Sequence, residues 1–186
     1  MKIVCLPLSM AIMLLSSCIR APVYPIEPNI EFKSVSDSRS IIYIDQNGNA
    51  IYVPDTLTIS FTDGDGDIAT FDNPADTALC VDPCSYADGD TSCLSISSKN
   101  IFLIDSRDTC IATYSSANIE PQGKFDGISG EILILHTIYM KGSACFTPSP
   151  ACPKETVRFK IRIKDTAGHL SNEVETSPIT VEVLSL

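Results

Sequence analysis

Along residues 56–62 apolar and polar positions alternate without a fault, Leu57, Ile59 and Phe61 falling on one side and Thr56, Thr58, Ser60 and Thr62 on the other. Residues 156–164 repeat the pattern, with Val157, Phe159, Ile161 and Ile163 set against Arg158, Lys160, Arg162 and Lys164. An extended chain sends successive side chains to opposite faces, so each stretch predicts a strand with one buried face. Residues 41–53 are nearly palindromic about Asn47-Gly48, the pair favoured in a type I′ turn, and predict a hairpin. Further strands are expected at 30–35, 101–105, 110–114, 131–140 and 179–184. Residues 132–135 are apolar on both faces, the pattern of a central strand.

Outside the first 18 residues no helical period is sustained. About seven to nine short strands, punctuated by Gly, Pro and Asp, predict an all-β fold, an antiparallel β-sandwich of immunoglobulin type. A closed barrel is the alternative, and it would be a soluble one, because the charged side of the 158–164 strand could not face lipid.

The amino terminus has a different texture. Lys2 is followed by an apolar run of 13 residues, 3–15, broken only by Pro7 and Ser9. This falls short of the roughly 20 residues a spanning helix needs. The run closes on Leu15-Ser16-Ser17-Cys18, which resembles the lipobox of a bacterial lipoprotein. That resemblance implies lipid on Cys18, cleavage ahead of it and a mature chain of 169 residues. Several acyl chains anchor stably, each buried methylene contributing about 0.8 kcal/mol. Pro22, Pro25 and Pro28 then recur every third residue, suiting a semi-rigid polyproline II spacer. The expected organisation is a signal peptide at 1–17, lipidated Cys18 and a Pro-rich spacer over 18–29, and a β-sandwich domain over 30–186 with a Cys-containing insertion at about 73–100. The expected location is the cell envelope, anchored by lipid to the outer membrane, on a face that nothing in the sequence assigns.

Such a compartment is oxidising, which bears on the cysteines. With Cys5 in the signal and Cys18 lipidated, Cys80, Cys84, Cys93, Cys110, Cys145 and Cys152 remain as disulfide candidates. Cys145 and Cys152 bracket a Pro-rich tip, 146–151, and are the first pair expected; the other four lie in or beside the insertion. A zinc site on Cys80, Cys84, Cys93 and Cys110 is the alternative, though the spacing fits no common knuckle.

Charge narrows the partners. The chain carries 13 Lys and Arg against 23 Asp and Glu, a formal net charge of −10, which removes the electrostatic basis for nucleic-acid binding. Three of the acids stand in Asp63-Gly64-Asp65-Gly66-Asp67, directly after the most regular strand. Carboxylates two residues apart, separated by glycines that let the backbone curl, gather hard oxygen ligands in a small space. Calcium or another hard cation is the expected occupant, set against a solvated turn. The loop is not an EF-hand, whose sixth and twelfth positions would be Ile68 and Pro74 here. Asp165, and also Asp72, are further candidate metal ligands. Asp45-Gln46-Asn47-Gly48-Asn49 has similar spacing but belongs to the hairpin tip and reads as a turn.

Together with the 30–35 segment, Gly130-Glu131-Ile132 and the closing stretch 163–172, the 59–68 segment resembles a group of uncharacterised lipoproteins of Bacteroidota-type bacteria. Its Phe61-Thr62-Asp63-Gly64-Asp65-Gly66-Asp67-Ile68 run is the most specific shared element. Residues 165–172, of the form Asp-x-Ala-Gly-x-x-Ser-Asn, are similar to the last hairpin of many bacterial immunoglobulin-like domains, with His169 where Asn is usual. The resemblance implies an immunoglobulin-like fold and an envelope location, with no established activity. It also implies O-glycosylation at Asp-Thr-aliphatic sites, which 55–57, 76–78 and 165–167 fit.

For an enzyme there is little: His136 lies in an apolar strand and reads as structural, His169 lies in a turn, and no nucleophile elbow, His-Glu-x-x-His or phosphate loop occurs. The expected function is a non-enzymatic, calcium-stabilised binding or structural module of the envelope, with a protein or glycan ligand. The alternative is a glycan hydrolase using paired carboxylates such as Glu131, Glu155 and the Asp cluster, or a glycan-binding accessory protein.

Overall fold

A computed structural model describes residues 22–69, 99–107, 111–117, 119, 121, 126–140 and 154–185. Outside these fall the signal segment, Cys18, Asp72, the six disulfide candidates, nearly all of the 73–100 insertion and the 146–151 tip. Among the described residues the fold is all-β, without a helix, in three antiparallel-dominated sheets.

The first sheet has the order β1-β4-β7, built from β1 (Asn29–Val35), β4 (Asp55–Asp63) and β7 (Ile128–His136). β4 is its spine. All five of its odd-numbered residues are buried, as the alternation predicts, and they pair with β7 in unbroken register from Asp55↔His136 to Asp63↔Ile128. The second sheet, of order β10-β9-β5-β6, comprises β5 (Ile101–Asp105), β6 (Ile111–Tyr114), β9 (Phe159–Ile163) and β10 (Val174–Glu175). In the third, of order β3-β2-β11-β8, β2 (Arg39–Ile44) and β3 (Ala50–Tyr52) form the expected hairpin beside β11 (Ile179–Ser185) and β8 (Glu155–Val157). Side chains from all three sheets, among them Leu57, Ile59, Ile134, Leu103, Phe159, Ile161, Ile163, Ile179 and Val181, enter one hydrophobic core. The arrangement is sandwich-like.

Four details differ from the sequence expectations, each for a physical reason. The 156–164 stretch is two strands: β8 pairs with β11 in the third sheet and β9 with β5 and β10 in the second, with Arg158 at the crossing. Side chains keep alternating through the crossing, so periodicity does not register the change of partner. β7 is an edge strand among the described residues, and Leu133 and Leu135, read as facing a second layer, are about two-thirds exposed (66% and 65%). The antiparallel expectation has one exception, because β11 runs parallel to β2 from Thr180↔Arg39 to Ser185↔Ile44. Finally, the hairpin tip is longer than a two-residue turn. β2 and β3 stop pairing at Ile44↔Ala50, and the Asp45 carboxylate accepts the Asn47 and Asn49 backbone N–H groups and the Asn49 side-chain amide, at 2.8, 2.7 and 3.0 Å. Gly48, at φ 83°, supplies the left-handed residue.

Candidate metal centre

The loop after β4 is pinned at both ends by the core. Phe61 is buried ahead of it and Ile68, fully buried, behind it, so the six residues between must turn tightly. Gly66 takes φ 70° and lies so close to Asp126 O and Pro121 that no side chain would fit there. On the other side stands the loop leaving β9, in which Asp165 is 1% exposed. It is closed by Gly168 at φ 96° and by hydrogen bonds from Gly168 N–H to Asp165 O (3.3 Å) and from Asp165 N–H to His169 O (3.1 Å).

Asp67 joins the two loops. One of its carboxylate oxygens accepts the Thr166 hydroxyl and the Ala167 N–H (3.0 Å), and its carbonyl accepts the Thr166 N–H (3.2 Å). Asp63 Oδ2 accepts the Asp67 N–H at 3.0 Å. Asp165 is held by His169, whose N–H reaches Oδ1 at 2.7 Å while Nδ1 lies 2.8 Å from Oδ2.

With these constraints, carboxylate oxygens of Asp63, Asp65, Asp67 and Asp165 all lie within 4.8 Å of one another. The four candidate ligands read from the sequence therefore converge; Asp72 lies outside the described residues. Asp65, Asp165 and His169 form an overlapping group, so His169 is a neighbour that spacing alone did not single out. Its only signal is its place four residues after Asp165 in a glycine-containing turn.

Two oxygens decide what this arrangement can do. Asp63 is 0% exposed, yet its Oδ1 has no hydrogen-bond partner, and Asp67 Oδ1 is likewise buried and unpartnered. A buried carboxylate oxygen without a partner is costly. Like charges about 4 Å apart repel by about 4 kcal/mol even at an effective dielectric of 20. Burial, and then the neighbouring charges of Asp65 and Asp67, push the Asp63 carboxyl up to about 6. Burial and the Asp67 charge also raise Asp65, while the hydrogen bond and charge of Asp165 raise His169. A hard divalent cation would give both orphaned oxygens a partner and offset the repulsion.

A second group of titratable residues lies at the opposite end of β4 and β7, where Asp55 pairs with His136. Arg107 donates to both oxygens of Asp105, to Glu155 (2.8 Å) and to Tyr139 O (2.9 Å). His136 bonds the Tyr114 hydroxyl and sits edge-on against Phe159, centroids 4.8 Å apart. Burial holds His136 down at about 4 and pushes Tyr114 up to about 12, so both are neutral at physiological pH. A cavity of about 240 Å³ between β6 and β7 carries Glu131 as its one carboxylate among the described residues.

Comparison with known proteins finds no family model, no curated protein and no solved structure that matches the chain.

Proposed function

We propose that the chain is a lipid-anchored module of the cell envelope, non-enzymatic and immunoglobulin-like, which binds calcium or a similar hard cation through Asp63, Asp65, Asp67 and Asp165. One observation carries the cation reading: the fully buried Asp63, which leaves one oxygen unpartnered, belongs to a cluster of four carboxylates drawn together from two segments of the chain. All four are oxygen donors, and oxygen donors suit calcium over softer metals. The anchor rests on the apolar run ending at Leu15-Ser16-Ser17-Cys18.

The hydrolase alternative would need two free carboxylates facing one cleft. Asp105 and Glu155 are both tied to Arg107, and among the described residues the 240 Å³ cavity is lined by one carboxylate, Glu131, where hydrolysis needs two.

Thermal unfolding with and without calcium tests the cation. Calcium at 100 times its dissociation constant adds about 2.7 kcal/mol, which at this size raises the midpoint by about 5–10 °C. Chelator should reverse the rise and Asp65→Ala should abolish it. A wild-type midpoint indifferent to both calcium and chelator would remove the cation from the proposal.

A further inference from the structure

We propose that the cation site also governs the N-terminal spacer: when the aspartate cluster is loaded, the segment Tyr24-Pro25-Ile26-Glu27 is docked on the domain, and when it is empty the segment is released. This rests on the cation reading above.

The register of β1 leads the spacer to the site. Asn29 pairs with Thr62, so the chain preceding Asn29 runs back alongside Asp63 and Gly64. There the contact is backbone on backbone. A Cβ on Gly64 would strike the carbonyl oxygens of Pro25 and Tyr24, the latter at 2.5 Å. Gly127, next to the start of β7, forms the other half of the seat, since a Cβ on it would come within 3.1 Å of Tyr24 Cδ2. Two glycines thus leave a bare surface that the spacer fills, and Pro28 is buried at its end.

Gly64 lies between two of the four cation ligands, so its position depends on where Asp63 and Asp65 are held. Glu27, two residues after the Pro25 that lies against Gly64, brings a further negative charge to the same segment. Without a cation, four converging carboxylates both strain the seat and repel the segment carrying Glu27. A divalent cation removes both effects, so binding of the ion and docking of the spacer favour one another. Linkage makes the coupling reciprocal: whatever factor the ion contributes to docking, docking contributes to ion affinity.

The consequence is a tether of two lengths. Tyr24, docked, is six positions along the chain from Cys18, and Asn29 is eleven. At about 3.3–3.6 Å per extended residue, docking cuts the maximum reach from the anchor from roughly 40 Å to roughly 20 Å.

Hydrogen exchange of residues 22–28, measured on the full mature chain in detergent with calcium or with chelator, tests this. Calcium is expected to slow spacer exchange at least tenfold. Tyr24→Ala, a change outside the sheets, should abolish that slowing and weaken calcium binding severalfold while leaving a calcium-induced rise in midpoint. Gly127→Val, on the opposite side of the seat, should act in the same way. If calcium raises the midpoint but leaves spacer exchange unchanged, or if Tyr24→Ala binds calcium as tightly as wild type, the coupling is wrong and the cation site stands. If calcium moves neither the midpoint nor the spacer, the cation site and the coupling fall together.

Discussion

Asp63 and His136 sit at opposite ends of the β4–β7 ladder and titrate in opposite senses. Unfolded, an aspartate loses its proton near 3.8; folded and cation-free, Asp63 keeps it to about 6. Between those values the folded state binds more protons, so Asp63 lowers cation-free stability as pH rises through this window. His136 does the reverse. Unfolded it gains a proton near 6.5, folded only near 4, so its contribution is lost as pH falls through that range, by about 3 kcal/mol at most. The two effects oppose one another over nearly the same interval, and wild type in chelator should vary little with pH between about 4 and 6.5. Each variant should expose the other group. Asp63→Asn should raise the cation-free midpoint at pH 7 and leave stability that falls on acidification, whereas His136→Gln should leave stability that falls as pH rises. Midpoints measured across pH 4–8 in chelator check both slopes, and parallel curves for the two variants would contradict the assignment. With calcium present the ionised form of Asp63 is the binding form, so the calcium-induced rise should shrink as pH drops below about 6.

Patterning exposes strands better than their partners. β4 and its buried face could be read residue by residue, because one face of it is in the core throughout. The crossing at Arg158 could not, because its evidence is hydrogen bonding. There Arg158 N–H donates to Ser106 Oγ (3.0 Å), Ser106 N–H to Arg158 O (2.9 Å), and Phe159 N–H to Thr176 Oγ1 (3.0 Å). β7 misled for a related reason: an apolar run looks the same on a central strand as on an edge whose outward leucines stay exposed. The distinction is measurable. Leu57→Ala, at 0% exposure, should cost about 2–5 kcal/mol. Leu133→Ala should change stability by less than about 0.5 kcal/mol, and a cost equal to that of Leu57→Ala would show that the outer face of β7 is covered. Asn172 does the work of a short strand with one side chain, its Oδ1 accepting Ile30 N–H at 2.8 Å and its Nδ2 donating to Ile30 O at 2.9 Å. Asn172→Ala leaves both groups of Ile30 without these partners, and should lower the urea midpoint by the equivalent of about 1–3 kcal/mol with the slope unchanged.

The candidate site was legible to the extent that its ligands were close in sequence. Asp63, Asp65 and Asp67 declare themselves by spacing, whereas Asp165 could be named as a ligand only on the condition that the ends of two strands meet. The seat on Gly64 and Gly127, and the hold of His169 on Asp165, depend on contacts between segments far apart in the chain and left no local trace. At the scale of the molecule these contacts would make the proposed cation a clasp at one end, joining the exit of β4 in the first sheet to the exit of β9 in the second. Among the described residues, no strand of the third sheet contributes a residue to it. β2 and β11 are instead held by six consecutive parallel pairs and by the buried Ile179 and Val181. Loss of the ion should therefore open the molecule locally and leave the third sheet closed, since local openings cost less than global unfolding. Chelation should speed hydrogen exchange at residues 63–68 and 165–169 well before it affects residues 179–184. Equal acceleration in both regions would mean that the two ends unfold as one unit and that the ion stabilises the whole fold instead of clasping one edge of it.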